Sequence, residues 1–388
     1  MPDGDAVKVK IINKIAEVSA DQWDACAGEE NPFINHAFLD VLEQSSSVCA
    51  ESGWLPQHLL VEDAEGCLRG AVPCYLKNHS YGEYVFDWGW ADAFERAGGN
   101  YYPKLQISVP FTPVTGPRLL VRPGPQAEDT RRVLIAGLIE LAQQHKVSSL
   151  HITFCNCDEQ TLLTEHGFLE RMGQQFHWHN REYECFDDFL NVLTSRKRKS
   201  IRKERQLANE QVAFEILTGD SLQERHMHAF YQFYLNTVDR KWAHAYLERE
   251  FFMQLRERLA NKIVLVLAKH DGAYVGGALN LQGSTTLFGR NWGCAAQFRM
   301  LYFEACFYRA IDYAIEHNLS KVEAGAQGPH KISRGYLPSA TYSSHWIRDP
   351  NFRNAVEHFL VREGRETRLE MELLENERSP YRKNLSDI

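Results

Sequence analysis

Residues 263–292 read IVLVLAKHDGAYVGGALNLQGSTTLFGRNW, and their pattern decides the fold. Positions 263–268 are apolar without interruption, which marks a strand covered on both faces. Asp271-Gly272 is a turn pair, and it leads to a second strand over 275–281 and a third over 285–292. Downstream, 301–317 carries apolar residues at helical spacing, 321–324 is a short strand, and 341–347 is another. A three-strand meander followed by a strand–helix–strand crossover predicts a mixed sheet with helices packed on it.

Upstream of the meander, 212–217 reads as a strand, and 222–238 and 246–259 as two helices. Leu190, Leu193 and Ile201 fall on one face of a long helix whose other faces are basic. The first half of the chain repeats this order with shorter helices. Strands are expected over 7–12, 59–62, 67–76, 150–154 and 175–179, and helices over 36–42 and 160–166. Leu134, Leu138, Leu141 and Ala142 line one face of a further helix, and the aromatic, Gly- and Pro-rich stretch 84–116 reads as loop. No residue-level repeat is visible, so the repetition is one of plan. Two α/β domains with α+β-type mixed sheets are expected, over 1–183 and 184–388, the second ending in a charged helical tail.

The composition fits that division. The 388 residues are too many for one ordinary core, and 44% hydrophobic with 24% charged residues is a globular balance. The longest apolar run is 263–268, far below the ~20 residues that cross a bilayer. With an acidic N-terminus lacking a secretory pattern, a cytoplasmic location without a membrane span is expected. Nine cysteines occur without any C-x-x-C pair, so no disulfide framework or metal is called for. Cys155, Cys157, His177 and His179 alternate as strand neighbours would and would suit zinc, but buried thiols and a hydrogen-bonded imidazole explain them as well. Neither G-x-S-x-G nor H-E-x-x-H occurs. A net charge of −8 argues against a duplex-DNA binder.

Several strings carry a family resemblance. LFGRNWG (287–293), LYFEACFYRAIDYAIEHNL (301–319), EAGAQGPHKISRGYLP (323–338) and TYSSHW (341–346) look like the FemAB-like predicted N-acyltransferases, a family labelled for peptidoglycan biosynthesis or recognition. PKLQISVPFTPVTGPRLL (103–120), QFHW (175–178), SRKRKSIRKER (195–205) and YLEREFF (246–252) extend the match in order along most of the chain. The resemblance implies tandem GNAT-like (acyl-CoA N-acyltransferase-like) domains. It also implies transfer of an acyl group from acyl-CoA, or an aminoacyl group from charged tRNA, to an amine. Two positions depart from the family pattern: Pro329 stands where a Glu is usual, and Asn291 where a Tyr is. The first removes a carboxylate that would serve as general base.

The loop 325–335 spaces three glycines among Gln327, His330, Lys331 and Arg334. Glycine lets backbone approach a ligand. A neutral imidazole can take the proton of an attacking ammonium while cations and N–H groups stabilise an oxyanion. His330 and Lys331 are therefore candidate catalytic residues, and Gln327 and Arg334 candidate substrate contacts; a tight loop capping its neighbours is the other reading. Residues 290–295, RNWGCA, fit the R-x-x-G-x-A form with which GNAT enzymes hold the pyrophosphate of acyl-CoA. Arg290 and Trp292 would line the site with or without CoA. Glu304 is a candidate catalytic acid, although its helical position beside Tyr308, Asp312 and Glu316 reads as solvent-facing. Tyr342 and His345 of TYSSHW, and Lys104 from the Pro-rich segment, are candidate substrate contacts.

Residues 196–205 hold seven bases against the single acid Glu204. Arg196, Lys197, Arg198, Lys199 and Arg202 would grip tRNA or a phosphorylated lipid precursor. Alternatively they are a solvated face paired with the acidic stretch 366–377. The expected function is an N-acyltransferase acting on a small-molecule or lipid-linked amine, with no tightly bound cofactor and acyl-CoA or aminoacyl-tRNA as co-substrate. A non-catalytic tandem module recognising a cell-wall precursor or a protein partner is the alternative.

Overall fold

The computed structural model describes residues 7–240, 245–325 and 328–382, so Gln327 lies outside the described residues. The chain divides into two compact units, Met1–Gly173 with Ala340–Thr367, and Gln174–Ser339 with Arg368–Ile388. The division therefore differs from one boundary near 183, because the chain returns to the first unit after 339.

In the first unit, strands β1 (Lys8–Ile12), β3 (His58–Glu62), β4 (Leu68–Val72) and β7 (Leu120–Val121) pair antiparallel in the order β1-β3-β4-β7. Helix α4 (Ala127–Gln144) buries Leu134, Leu138, Leu141 and Ala142 against this sheet, as their spacing predicts. β2 (Trp54–Pro56) pairs β5 (Cys74–Lys77), β5 pairs β6 (Lys104–Ile107), and β6 runs parallel to β8 (Ser149–Cys155). Residues 67–76, expected as one strand, are two: Pro73 has no N–H for a ladder, and the chain changes sheets there.

The stretch 84–116 is not all loop, since helix α3 (Trp88–Arg96) and β6 lie within it. All four β6 residues are buried, including Lys104 and Gln106, and those buried polar side chains masked the strand.

In the second unit, β10 (Ala213–Leu217), β11 (Ile263–His270), β12 (Ala273–Gln282) and β13 (Thr286–Cys294) form an antiparallel series. β14 (Lys321–Glu323) adds parallel to β13, then residues 177–179 of β9 (Leu169–His179) add antiparallel to β14. β11 is buried over its first six residues and lies between β10 and β12, as its unbroken apolar run requires. Helix α8 (Glu224–Arg240) packs on β12 and β13. The helix expected to run continuously through Leu190, Leu193 and Ile201 is two helices, α6 (Phe186–Asn191) and α7 (Ser195–Asn209). Leu193 bridges to Tyr381 and the Thr194 N–H donates to the Pro380 carbonyl at 2.9 Å, so a tertiary contact breaks the helix.

Candidate functional site

β13 and β14 pair only over Thr286–Phe288 and Lys321–Glu323. Beyond Phe288 the two strands part. Opposite, the β12–β13 ladder shifts register between Leu279 and Asn280, so that Asn280 faces Gly289 and Leu279 faces Asn291. Such a bulge bends a strand and re-aims its side chains. Where the strands separate lies a cavity of about 80 Å³, walled by Asn280, Gly289, Arg290, Asn291, Trp292 and Ala324. Tyr302, Cys306 and Phe307 close it from the helix α10, built of Leu301–Phe303, a π turn Glu304–Tyr308 and Arg309–Glu316. π turns within helices recur at functional sites because they offset the side chains that follow.

After β14 the chain passes through Ala324 and Gly325 and re-enters the described residues at Gly328. A 3-10 turn, Pro329–Arg334, then leads back to the sheet. Pro329 opens it, where its missing N–H costs nothing. Gly335 at φ 94° closes it, and a Cβ there would sit 2.6 Å from the Phe189 ring. The turn lays the His330 ring among Tyr302, Phe303 and Phe307, with centroids 5.9, 5.6 and 5.8 Å away. Two of these rings also line the cavity. The buried His330 Nε2 has no hydrogen-bond partner among the described residues. Burial, then the charges of Arg334 and Lys331, hold its pKa below the usual imidazole value. His330 is therefore neutral at neutral pH, with an unused ring nitrogen among the residues that wall the cavity.

The other expected catalytic groups are committed elsewhere. Lys331 is buried, and its Nζ donates to the carbonyls of Ala324 at 2.5 Å and Gly325 at 2.9 Å. Desolvation lowers its pKa to about 8. Lys331 thus holds the loop in shape. Arg334 lies 3.4 Å above the Phe303 ring, donates to the His330 carbonyl at 2.8 Å and to Glu204 Oε2 at 2.7 Å. Glu304, expected to face solvent, is fully buried and bound by Arg205 at 3.1 Å and Arg309 at 2.9 Å. Helix α7 covers that face of α10: Arg205 also reaches Asp312 at 2.5 Å, and the Tyr308 hydroxyl donates to Glu204 at 2.5 Å.

Helix α7 is thus split in role. Glu204, Arg205, Ile201 and Ala208 dock it, whereas Arg196, Lys197, Arg198 and Lys199 have no ion-pair partner among the described residues. Arg202 pairs with Asp187 at 2.9 Å. No ion pair joins α7 to 366–377 among the described residues, which corrects the expected internal pairing.

The R-x-x-G-x-A stretch is not a phosphate loop ahead of a helix. Residues 290–294 belong to β13, and the Ala295 N–H donates to the Val275 carbonyl at 2.8 Å. Gly293 is required for packing, since a Cβ there would lie 2.1 Å from the Phe233 carbonyl oxygen of α8. Arg290 and Trp292 nonetheless line the cavity.

Tyr342, His345 and Lys104 belong to the first unit. Lys104 is wholly buried, donating to Ser80 Oγ and Glu83 at 2.7 Å and to Asp87 at 2.5 Å, so it is a core ion-pair residue rather than a substrate contact. His345 is buried too, its Nδ1 2.6 Å from His151 Nδ1. Tyr342 is half-buried in the strand pairing with β8. Cys155 ends β8 while Cys157 opens helix α5 (Cys157–Glu165), so the two do not alternate on one strand. Among the described residues no group of three or more His, Cys, Asp or Glu is placed to hold a metal.

Sequence reading missed Asn280, Tyr302 and Cys306 as cavity residues. Asn280 left a signal, an amide inside an apolar strand; its Nδ2 donates to the Val264 carbonyl at 3.0 Å. Tyr302 and Cys306 left none, because the π turn that carries Cys306 and begins just after Tyr302 has no sequence signature.

The chain belongs to the FemAB-like family, described as peptidoglycan biosynthesis/recognition, whose model matches residues 14–383. No curated protein sequence matches it. Among solved structures, FemX is similar with a TM-score of 0.54 at 12% identity, covering 90% of this chain and all of that one (100%). The C-terminal domain of a putative lysylphosphatidylglycerol synthetase from Agrobacterium fabrum is similar with a TM-score of 0.56 at 8% identity, over 90% of this chain and 96% of that one. L-PGS from Bacillus licheniformis is similar with a TM-score of 0.51 at 11% identity, over 86% and 98%. The fold is the expected mixed α/β class, in two units, and is of the kind seen in FemX. No helix among the described residues is long and apolar enough to cross a membrane.

Proposed function

We propose that this FemAB-like chain is an N-acyltransferase whose reaction takes place where β13 and β14 part. The reading rests on one observation: the cavity at that parting shares Tyr302 and Phe307 with the aromatic pocket of His330, whose buried Nε2 has no hydrogen-bond partner among the described residues. Family membership supports a transferase role.

In this reading the donor carbonyl lies along the bulged backbone of 289–292. The amine nitrogen attacks the carbonyl carbon, its proton passes to His330 Nε2, and the leaving thiolate or ribose oxygen takes a proton as the carbon–heteroatom bond breaks. Asn280, with its NH₂ committed to Val264, presents its amide oxygen as an acceptor for the incoming N–H. Lys331 and Arg334 contribute by fixing the loop, so most of the rate is positioning. Neither donor is selected by the cavity. The cations Arg196, Lys197, Arg198 and Lys199, without an ion-pair partner among the described residues, favour a polyanionic donor such as aminoacyl-tRNA, or a phosphorylated lipid-linked acceptor.

Incubation with labelled acyl-CoA or charged tRNA and candidate amines, cell-wall precursors included, tests the proposal. Amide product formed by the native protein and reduced at least a hundredfold in His330→Gln is the expected result. Tight precursor binding without product from any donor would instead establish the recognition module that Pro329, in place of the usual Glu, favours.

A further inference from the structure

Five aromatic residues are exposed among the described residues: Tyr81, Tyr84, Phe86, Trp88 and Phe359, from 37% for Tyr84 to 60% for Phe86. All belong to the first unit and to one neighbourhood. Tyr81 and Trp88 are 4.8 Å apart between ring centroids, and Phe359 is 6.2 Å from Trp90. Arg171 lies 4.9 Å over Trp90 and donates to the Phe86 carbonyl at 3.0 Å. We propose that this aromatic loop is a docking surface that seats the protein on a phospholipid bilayer at headgroup level.

The loop is built to show these rings. Its acidic side chains turn inward: Glu83 and Asp87 are buried on Lys104, at 2.7 and 2.5 Å. Its backbone is held as well, since Lys77 Nζ donates to the Tyr81 carbonyl at 3.0 Å and the Phe111 N–H to that of Gly82 at 3.0 Å. With the charges inside and the backbone fixed, the aromatic side chains are left outside. Contiguous exposed apolar patches of this kind are often contact sites.

Three features select the bilayer. The exposed parts of five aromatic side chains amount to on the order of 500 Å², short of the ~800 Å² per partner of a stable dimer. The Tyr81 and Trp88 rings meet at 61°, so they make no flat shelf for stacking a sugar face. Tyr and Trp are the side chains that settle at a bilayer's polar boundary, with an apolar body and a polar tip. Two cations beside the patch are paired, Arg171 with Glu363 at 2.8 Å and Arg96 with Asp92 at 2.5 Å, so the attachment is carried by the apolar rings and is not expected to need anionic lipid.

The proposal is independent of the N-acyltransferase reading and is tested without an activity assay. The full chain is floated with vesicles of phosphatidylcholine alone, and of phosphatidylcholine with phosphatidylglycerol, at low and high salt. Binding to both vesicle types, retained at high salt, is expected. The double variant Tyr81→Ser, Phe86→Ser should partition at least tenfold more weakly with an unchanged melting temperature, and Lys197→Ala, Arg198→Ala should match the native protein on phosphatidylcholine. Absence of flotation, binding restricted to anionic vesicles and abolished by salt, or undiminished binding of the double variant would overturn it. So would a stable dimer that Phe86→Ser dissociates, or retention on a soluble glycan in place of vesicles.

Discussion

Arg334 donates to Glu204 across 2.7 Å, joining the loop that carries His330 to the one acid in a run of seven bases. The same carboxylate accepts from Tyr308, and its neighbour Arg205 binds Glu304 and Asp312. The acid that interrupts the basic run therefore helps seat the helix, and Arg196, Lys197, Arg198 and Lys199, without an ion-pair partner among the described residues, are left for other use. Glu204→Ala should destabilise the fold by about 2 kcal/mol, below the full cost of breaking a buried pair because Glu204 is partly exposed. Denaturant midpoints measure this, and wild-type stability would remove Glu204 from the frame of the site.

Burial keeps the pKa of His330 below the usual imidazole value. A base that must be neutral to act then loses its proton at lower pH than an ordinary histidine, so the midpoint of the acid limb of kcat/KM should lie below the usual imidazole value. His330→Gln should abolish the limb along with most of the rate. An acid limb centred at or above 7 would assign the proton to another group.

Gly293→Ala brings a methyl group to 2.1 Å from a backbone carbonyl that cannot rotate away. A loss of about 2–4 kcal/mol is expected in thermal or chemical unfolding. Arg290→Ala, in the same six-residue stretch, should instead raise KM for the donor and cost less stability than Gly293→Ala. Equal effects of the two would restore the phosphate-loop reading.

Lys104→Met removes the cation shared by Glu83 and Asp87 in the interior of the first unit. Leaving those carboxylates without it should cost about 3–5 kcal/mol. With Lys104 buried in this cluster, KM should hold in whatever fraction stays folded. A raised KM at full stability would return Lys104 to the substrate.

Replacing Lys197, Arg198 and Lys199 together with Ala should change stability by less than about 0.5 kcal/mol, since they have no ion-pair partner among the described residues. If α7 grips charged tRNA, the slope of log affinity against log salt should become shallower by about 2–3. An unaltered slope would exclude α7 as the contact.

Local pattern determined a good deal here. The unbroken apolar run of β11 placed it between two strands, and Leu134, Leu138, Leu141 and Ala142 named the buried face of α4. The glycines and the histidine around 330 marked a tight loop, which packs His330 against Tyr302 and Phe307. These are properties of period and residue type, carried by neighbours in the chain. Tertiary structure alone decided that Lys331, Arg334 and Glu304 are held by partners, that β13 and β14 part after three residues, and that Tyr302 and, from a π turn, Cys306 line the gap. Whether a charged side chain faces water, substrate or a buried counter-ion depends on what another segment brings against it, and no local period records that.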